Sequence, residues 1–167
     1  MLGQDGFESL SEGLNMPATT SIRLNPFKVT ADEDTVTVDH ETVPWCHLGR
    51  YLQSRPAFTF DPIMHVGGYY VQEAASMFLA LVLETYADHP VTMLDMCAAP
   101  GGKSTLARAV LPEGSVLLAN EPLRTRANIL SENLLKLGHE DVIVTNNYPA
   151  EVARSGIQAD VIQIGRA

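Results

Sequence analysis

The sequence has little of what several classes of protein require. It carries two cysteines, Cys46 and Cys97, among 167 residues, which is too few for a disulfide-stapled fold and fits a reducing compartment. The five histidines are scattered and give no pair on one helix face, so we predict no metal site. No apolar run approaches the ~20 residues that span a bilayer, and no secretion signal is recognisable at the N-terminus. We therefore expect a cytoplasmic protein with no membrane partner.

Basic residues are also scarce. Eleven Lys and Arg stand against twenty Asp and Glu, for a net charge of -9, whereas surfaces that bind nucleic acid are usually basic. The acidic excess is concentrated in residues 1–43, which hold eight acids and two bases. Two interpretations stay open, a local basic face or ordinary solvated charges. The residues in question are Arg23, Lys28, Arg50, Arg55 and Lys103.

The most informative segment is residues 95–104, Asp-Met-Cys-Ala-Ala-Pro-Gly-Gly-Lys-Ser. It follows residues 91–94, whose apolar side chains predict a short buried strand, and it leads into helical spacing over residues 105–111. Gly101 and Gly102 have no Cβ, so the chain can turn sharply and a ligand can lie against the main chain. The free N–H groups at the start of the next helix point to the same place.

A second strand is predicted over residues 115–120, and it ends at Glu121, twenty positions after Gly101. In nucleotide-binding βαβ units, this spacing places a carboxylate at the tip of the second strand, where it accepts hydrogen bonds from ribose hydroxyls. The glycine turn alone is weak evidence. Together with the spaced acid, it predicts a ligand with an adenosine-like ribose.

Two other kinds of nucleotide-binding loop resemble this turn. A phosphate loop needs Gly-x-x-x-x-Gly-Lys-Ser/Thr, and Cys97 stands where its first glycine belongs. A dinucleotide site needs Gly-x-Gly-x-x-Gly, and the chain has Ala-Pro-Gly-Gly-Lys-Ser instead. S-adenosylmethionine has the ribose and adenine but no phosphate, and it fits best. A simple packing turn beside an incidental surface Glu121 stays open.

The same segment resembles the cofactor motif of the Nol–Nop–Sun RNA cytosine-5 methyltransferases. Residues 21–28 resemble the family's Arg-x-Asn-x-x-Lys segment, residues 68–76 its Gly-x-Tyr-x-Gln-Glu-x-x-Ser helix entry, and residues 142–147 its third cofactor strand. The likeness covers nearly the whole chain. It implies methyl transfer from S-adenosylmethionine to carbon 5 of a cytosine in RNA, with ribosomal RNA as the expected partner.

The resemblance also implies which residues bind the cofactor. The first loop surrounds the methionine part, Glu121 holds the ribose, and Arg126 matches an arginine of the family. Tyr148 stands near the place of a family aspartate, so Asn147 is expected to accept the adenine hydrogen bond instead. The loop residues are Cys97, Ala98, Ala99, Pro100, Gly101, Gly102 and Lys103.

The family's catalytic motif is expected after the fourth strand, where Asp-Ala-Pro-Cys normally stands. Here residues 160–164 begin that strand, and Gly165 occupies the place of the acid. Cys46 and Cys97 match neither nucleophile of the family, and transient covalent attack on the cytosine requires one. We therefore expect a cofactor half-site without catalytic residues, inactive by itself. The alternative is a non-catalytic module that binds RNA or protein.

Two regions are predicted along the chain. Residues 1–63 read as a small α+β unit of the RNA-contacting type, with a helix over 6–14, strands over 21–24 and 35–38, and a helical turn over 47–53. Residues 64–167 read as the first half of a Rossmann-like methyltransferase domain, opened by a helix over 71–86. Gln72 and Glu73 are expected to cap that helix, and support of the cofactor loop is the alternative role for them. Its predicted buried face comprises Ala75, Phe78, Leu79, Val82 and Leu83.

The alternation of strand and helix predicts an α/β fold with a parallel sheet in the order 3-2-1-4. The helix after strand two is expected to begin at Glu121-Pro122, to end at Gly138, and to bury Ile129, Leu130, Leu134 and Leu137. Strand four is then an edge with apolar side chains and unpaired backbone groups. We expect a homo-oligomer that covers this edge.

Overall fold

The computed structural model describes residues 3–16, 18–29 and 39–165, and it contains two four-stranded sheets. The first is antiparallel, in the order β2-β3-β1-β4. Its elements, with the helices around them, are α1 (Gly3–Asn15), β1 (Thr20–Leu24), β2 (His40–Val43), β3 (Cys46–Leu52), a 3₁₀ turn (Phe58–Phe60), α2 (Pro62–His65) and β4 (Tyr69–Val71).

The first sheet is buried through β1. Ile22 and Leu24 pack with Leu52 and Tyr69 in one apolar cluster. The side chains on the other face of β1 are polar, yet they are buried too, and Arg23 is only 2% exposed. A strand with both faces buried has structure on each side, and the second half of the chain lies on the polar side of β1.

The second sheet is parallel, in the order β7-β6-β5-β8. These strands are the predicted strands three, two, one and four, so the order 3-2-1-4 is confirmed. The elements are a 3₁₀ turn (Ala74–Met77), α3 (Phe78–Tyr86), β5 (Thr92–Asp95), α4 (Gly102–Val110), β6 (Val116–Asn120), α5 (Arg124–Leu137), β7 (Val142–Thr145), α6 (Pro149–Arg154) and β8 (Val161–Gln163).

Register brings the carboxyl ends of the strands together. Asp95 at the end of β5 lies opposite Ala119 in β6 and Gln163 in β8. Apolar side chains such as Met93 and Leu117 are fully buried beneath this edge. Open parallel sheets bind ligands outside the carboxyl ends of their strands, so we expect a ligand-binding site at this edge.

The prediction of a helical turn over residues 47–53 was wrong, because residues 47–52 lie in strand β3. β3 pairs with β1 on one side and with β2 on the other, and these ladders satisfy its backbone groups. The helix predicted over 71–86 begins only at Phe78, since residues 69–71 form β4 against β1. The strand predicted over 35–38 lies outside the described residues.

The predicted buried faces were wrong in part. Phe78 is 52% exposed and Val82 is 39% exposed, whereas Ala80 and Leu83 are the buried residues of α3. Ile129 is likewise exposed. The helix predicted to start at Glu121-Pro122 begins at Arg124, and the remaining predicted core of α5 is buried together with Ala127. Gly138 ends α5 in the left-handed conformation, as predicted.

Among the described residues, none of the helices has the length and apolar character needed to cross a membrane. The same part of the chain contains no group of three or more His, Cys, Asp or Glu side chains arranged to hold a metal ion. The division near residue 63 stays a prediction, and β4 at residues 69–71 belongs to the first sheet.

Candidate functional site

The turn between β5 and α4 depends on glycine. Gly101 adopts φ +112°, a left-handed conformation that other residues rarely adopt. A Cβ added there would lie 3.3 Å from Cδ1 of Leu130 and 3.4 Å from Cβ of Asn133. Gly102 then begins α4. The turn therefore lies directly on α5, with its backbone close to that helix.

Asp95 accepts hydrogen bonds from both ends of this turn. Its carboxylate is fully buried at the end of β5. One oxygen accepts hydrogen bonds from the Ser104 hydroxyl at 2.7 Å and from Nε2 of Gln163 at 3.1 Å, and the other accepts from the backbone N–H of Cys97 at 3.3 Å. Asp95 thus links β5, the loop, α4 and β8. It was not among the site residues proposed from the sequence.

The charge of Asp95 is costly at this position. Burial raises the pKa of the Asp95 carboxyl, the hydrogen bond from Ser104 and the charge of Lys103 oppose that rise, and the nearby charge of Glu121 adds to it. Asp95 ends β5 and Glu121 follows the neighbouring strand β6, so two acidic side chains stand at this edge of the sheet.

Glu121 follows β6 and is only 1% exposed. Its Oε1 accepts the backbone N–H of Leu123 at 3.1 Å. Its Oε2 is buried and accepts no hydrogen bond from any residue that the structure describes, although Nη2 of Arg126 lies 3.7 Å away. Buried polar atoms are normally satisfied, so an oxygen without a donor among the described residues marks an unusual position at this edge.

Helix α5 holds the outer side of the loop. Nη2 of Arg126 donates to the carbonyl oxygen of Ala99 at 3.0 Å, and Nδ2 of Asn133 donates to the carbonyl oxygen of Pro100 at 2.7 Å. Arg126 therefore contacts both the loop and the Glu121 side of the site.

Asn120 ties the loop to the segment after β7. Its Nδ2 donates to the carbonyl oxygens of Met96 at 3.3 Å and Asn147 at 3.0 Å. Its Oδ1 accepts from the Thr145 hydroxyl at 2.9 Å and from the Asn147 N–H at 3.0 Å. The backbone of Asn147 is thus fixed beside the loop by a buried amide that the sequence analysis did not single out.

The structure brings the predicted cofactor residues to one edge of the second sheet. Residues 96–101 join β5 to α4, and Gly102 and Lys103 begin that helix. Ala98 donates its N–H to the carbonyl oxygen of Asn120 at 2.9 Å, and Glu121 is the residue after Asn120. Nζ of Lys103 lies 4.0 Å from the place where a Cβ on Gly165 would stand. The individual roles of these residues stay predictions.

The first sheet also contacts the loop. Nη1 of Arg23 donates to the carbonyl oxygen of Gly102 and to Oε1 of Gln72, both at 2.9 Å, and Nη2 donates to the Thr105 hydroxyl at 2.7 Å. Nε2 of Gln72 donates to the same Gly102 carbonyl oxygen at 3.2 Å. Gln72 therefore supports the loop and does not cap α3, which begins six residues later. The signal for these contacts was the pair of short motifs that contain Arg23 and Gln72.

Two family models together match most of the chain. Residues 1–74 match the N-terminal domain of 16S rRNA methyltransferase RsmF, and residues 80–162 match the 16S rRNA methyltransferase RsmB/F. The first match covers the antiparallel sheet, and the second covers the β5–α4 turn and the parallel sheet.

Curated relatives of the chain are named as ribosomal RNA small subunit methyltransferase F. The ribosomal RNA small subunit methyltransferase F of Erwinia tasmaniensis is 30% identical over 151 residues, which cover 85% of this chain and 32% of the relative. The protein of that name from Pectobacterium atrosepticum is 32% identical over 139 residues, which cover 78% of this chain and 29% of the relative. The chain thus spans about a third of the length of these relatives.

Solved structures show the same fold. A methyltransferase homolog from Pyrococcus horikoshii superposes with a TM-score of 0.81 at 25% identity, covering 96% of this chain and 53% of that one. The structure of NSun6 from Pyrococcus horikoshii with SFG superposes with a TM-score of 0.75 at 17% identity, covering 96% of this chain and 66% of that one. The resemblance to the Nol–Nop–Sun family is confirmed, and the chain belongs to the RsmB/F branch of 16S rRNA methyltransferases.

Proposed function

We propose that this chain forms the cofactor half-site of an rRNA cytosine-5 methyltransferase and binds S-adenosylmethionine at the edge described above. The observation that carries the proposal is the buried Oε2 of Glu121, which lacks a hydrogen-bond donor among the described residues beside a glycine turn. A ribose hydroxyl supplies that donor. Bound there, S-adenosylmethionine supplies an electrophilic methyl group on its sulfonium.

The residues present fit this cofactor. Glu121 accepts from the ribose, and the loop residues 97–103 surround the methionine part with backbone groups that small side chains leave accessible. Asn147, whose backbone is held by Asn120, is proposed to contact the adenine. Asp95 ends β5 and Glu121 follows β6 at the same edge, and their negative charge favours a ligand with a positive sulfonium.

The substrate proposed is ribosomal RNA. Support comes from the names of the relatives, which are ribosomal RNA small subunit methyltransferases, and from the two matching family models. A protein that acts on ribosomal RNA works where ribosomes are assembled, and we propose a cytoplasmic location. The unit over residues 1–63 is proposed to contact RNA, and the unit over residues 64–167 to hold the cofactor.

Neither thiol of this chain is proposed as the nucleophile that attacks cytosine. Cys46 is buried in an apolar cluster with Val43, Leu48 and Met77. Burial raises the pKa of the Cys46 thiol, with backbone N–H groups and the charge of Arg23 opposing the rise, so its reactive thiolate is disfavoured. Cys97 belongs to the cofactor loop. The proposed contribution of this chain is cofactor binding, without the covalent step.

A second copy of the chain is proposed to pair along β8. This strand is the last in the sheet order among the described residues, and Ile162 on it is 58% exposed. An edge strand with exposed apolar side chains offers unpaired backbone groups to another chain. Light scattering tests this proposal, with a dimer or larger assembly expected and a clean folded monomer as the contrary result.

The cofactor proposal is tested by calorimetry with S-adenosylmethionine. Glu121→Gln removes the charge that strengthens the ribose hydrogen bonds, so affinity is expected to fall about tenfold to a hundredfold. Glu113→Gln, at an exposed turn residue, is the matched control and leaves affinity unchanged. Equal affinity of the Glu121→Gln protein and the wild type, or no binding to either, would contradict the proposal.

A further inference from the structure

A cavity of about 220 Å³ lies between the first sheet and helix α5, beside the cofactor loop, to which its lining residues Arg23 and Asn133 donate hydrogen bonds. Its polar lining comes from β1, α4 and α5, and its aromatic and apolar lining comes mainly from β4 and α2. Arg23, Tyr70, Thr105 and Lys136 are among its lining residues. None of the ten residues predicted to bind the cofactor lines this cavity.

Arg23 is a buried cation that has no acidic partner among the residues the structure describes. Its side chain is 2% exposed, and its hydrogen bonds go to three neutral acceptors, on Gln72, Gly102 and Thr105. No carboxylate of the described residues forms an ion pair with it. Burying a cation costs several kcal/mol unless it is compensated, and buried charges in proteins are usually paired.

The hydrogen bonds of Arg23 to the described residues leave a specific pair of its donors without an acceptor. A guanidinium has five N–H donors, and three of them are used, two on Nη1 and one on Nη2. In the same part of the chain, Nε is buried and finds no acceptor, and Nη2 makes one hydrogen bond, to Thr105, which leaves its second N–H without one. Nε and Nη2 form the side-on fork that binds two oxygens of a phosphate or carboxylate.

The surroundings add to the demand for negative charge. Arg23 contacts the first turn of α4, where the helix dipole is positive and a cation is disfavoured. Burial lowers the pKa of the Arg23 guanidinium to about 10, with weaker opposing effects from Cys46 and Tyr70. Lys136 lines the same cavity from an exposed position on α5 and supplies a second positive charge.

The lining residues also favour a ligand in which an aromatic ring is attached to the anionic group. The Tyr70 ring lies 5.7 Å from Cζ of Arg23, measured to its centroid, and it lines the cavity with apolar side chains of neighbouring elements. Aromatic and arginine planes are the surfaces on which bases stack. We propose that this cavity binds the phosphate group of a nucleotide, carried either by a free nucleoside monophosphate or by a single-stranded RNA.

Calorimetry with uridine 5′-monophosphate tests the proposal, because uracil avoids competition for an adenine site. Uridine 5′-monophosphate is expected to bind, and uridine without phosphate is expected to bind at least about tenfold more weakly. Lys136→Glu reverses the exposed rim charge and is expected to weaken binding about tenfold. Arg154→Glu makes the same charge change on the exposed side of α6, outside the cavity, and leaves binding unchanged.

A uridine hexanucleotide without a terminal phosphate separates the two sources of the group. Binding that depends on Lys136 identifies an RNA phosphodiester, whereas binding of the monophosphate alone identifies a free nucleotide. In ¹⁵N NMR spectra, inorganic phosphate is expected to shift the Nε–H resonance of Arg23 in the wild type. Equal binding of uridine and its monophosphate, binding insensitive to Lys136→Glu, or an unmoved Arg23 resonance at saturating phosphate would each overturn the proposal.

Discussion

The guanidinium of Arg23 in β1 donates a hydrogen bond of 2.9 Å to the carbonyl oxygen of Gly102, the first residue of α4. The two residues are 79 positions apart in the chain. This bond joins the antiparallel sheet to the start of the helix after the cofactor loop. The geometry of the loop therefore depends on a residue outside the parallel sheet.

Replacing Arg23 should destabilise the fold more than its single charge suggests. Arg23→Lys keeps the charge but cannot reach the acceptors on Gln72, Gly102 and Thr105 with one planar fork. The free energy of unfolding is expected to fall by about 2 kcal/mol or more, as measured by urea denaturation. Arg124→Lys, at an exposed position, is the control and should stay within about 0.5 kcal/mol of the wild type.

The turn at Gly101 allows a second prediction. Gly101→Ala places a Cβ on a residue with φ +112°, within 3.4 Å of side chains on α5. A loss of about 1–3 kcal/mol in the free energy of unfolding is expected. Gly13→Ala, where an added Cβ meets nothing within 4 Å, should cause no loss. Equal stabilities of the two variants would show that the turn does not require its left-handed conformation.

Helix α5 offers a matched pair of leucines. Leu130 is fully buried against Ala98, Ala99 and Ala119, while Leu135 is 76% exposed on the same helix. Leu130→Ala leaves a cavity under the loop and is expected to lower the free energy of unfolding by about 2–5 kcal/mol. Leu135→Ala should change it by less than about 0.5 kcal/mol. Similar losses in both variants, measured by thermal or urea unfolding, would place the core of α5 elsewhere.

The parallel sheet could be predicted because its signals are local. Each strand is a short apolar run, each is followed by helical spacing, and Gly101 and Gly138 mark turns that few other residues allow. Residues 47–53 misled the prediction, since Leu48, Tyr51 and Leu52 have helical spacing. Two neighbouring strands supply backbone partners for this segment, and that pairing outweighs the local pattern.

The candidate site likewise contains residues that the sequence predicts and contacts that it does not. The loop and Glu121 are recognisable because glycines and a spaced acid are sequence patterns. The contacts of Asp95 with Gln163 and of Arg23 with Gly102 join residues 68 and 79 positions apart, and no spacing rule connects them. Burial alone does not explain Ile129, which is exposed beside the buried Leu130 because adjacent helical residues face different directions.

The buried Asp95 makes stability depend on pH in a defined direction. Burial raises the pKa of the Asp95 carboxyl above the ordinary value of 3.8, so between 3.8 and the raised value the native state holds this proton more tightly than the unfolded state. The contribution of Asp95 to stability is present below pH 3.8 and is lost as the pH rises through the folded pKa.

Comparing Asp95→Asn with the wild type isolates this contribution, because asparagine does not titrate. The free energy of unfolding of the variant minus that of the wild type is expected to increase with pH across this window and then to level off. Ser104→Ala removes a hydrogen bond that favours the charged form of Asp95, so the decline in stability should extend to higher pH in that variant. Urea denaturation over a pH series measures both effects. A difference that is flat with pH would show that Asp95 titrates alike in the folded and unfolded chains, and that its bonds to Ser104 and Gln163 fully offset its burial.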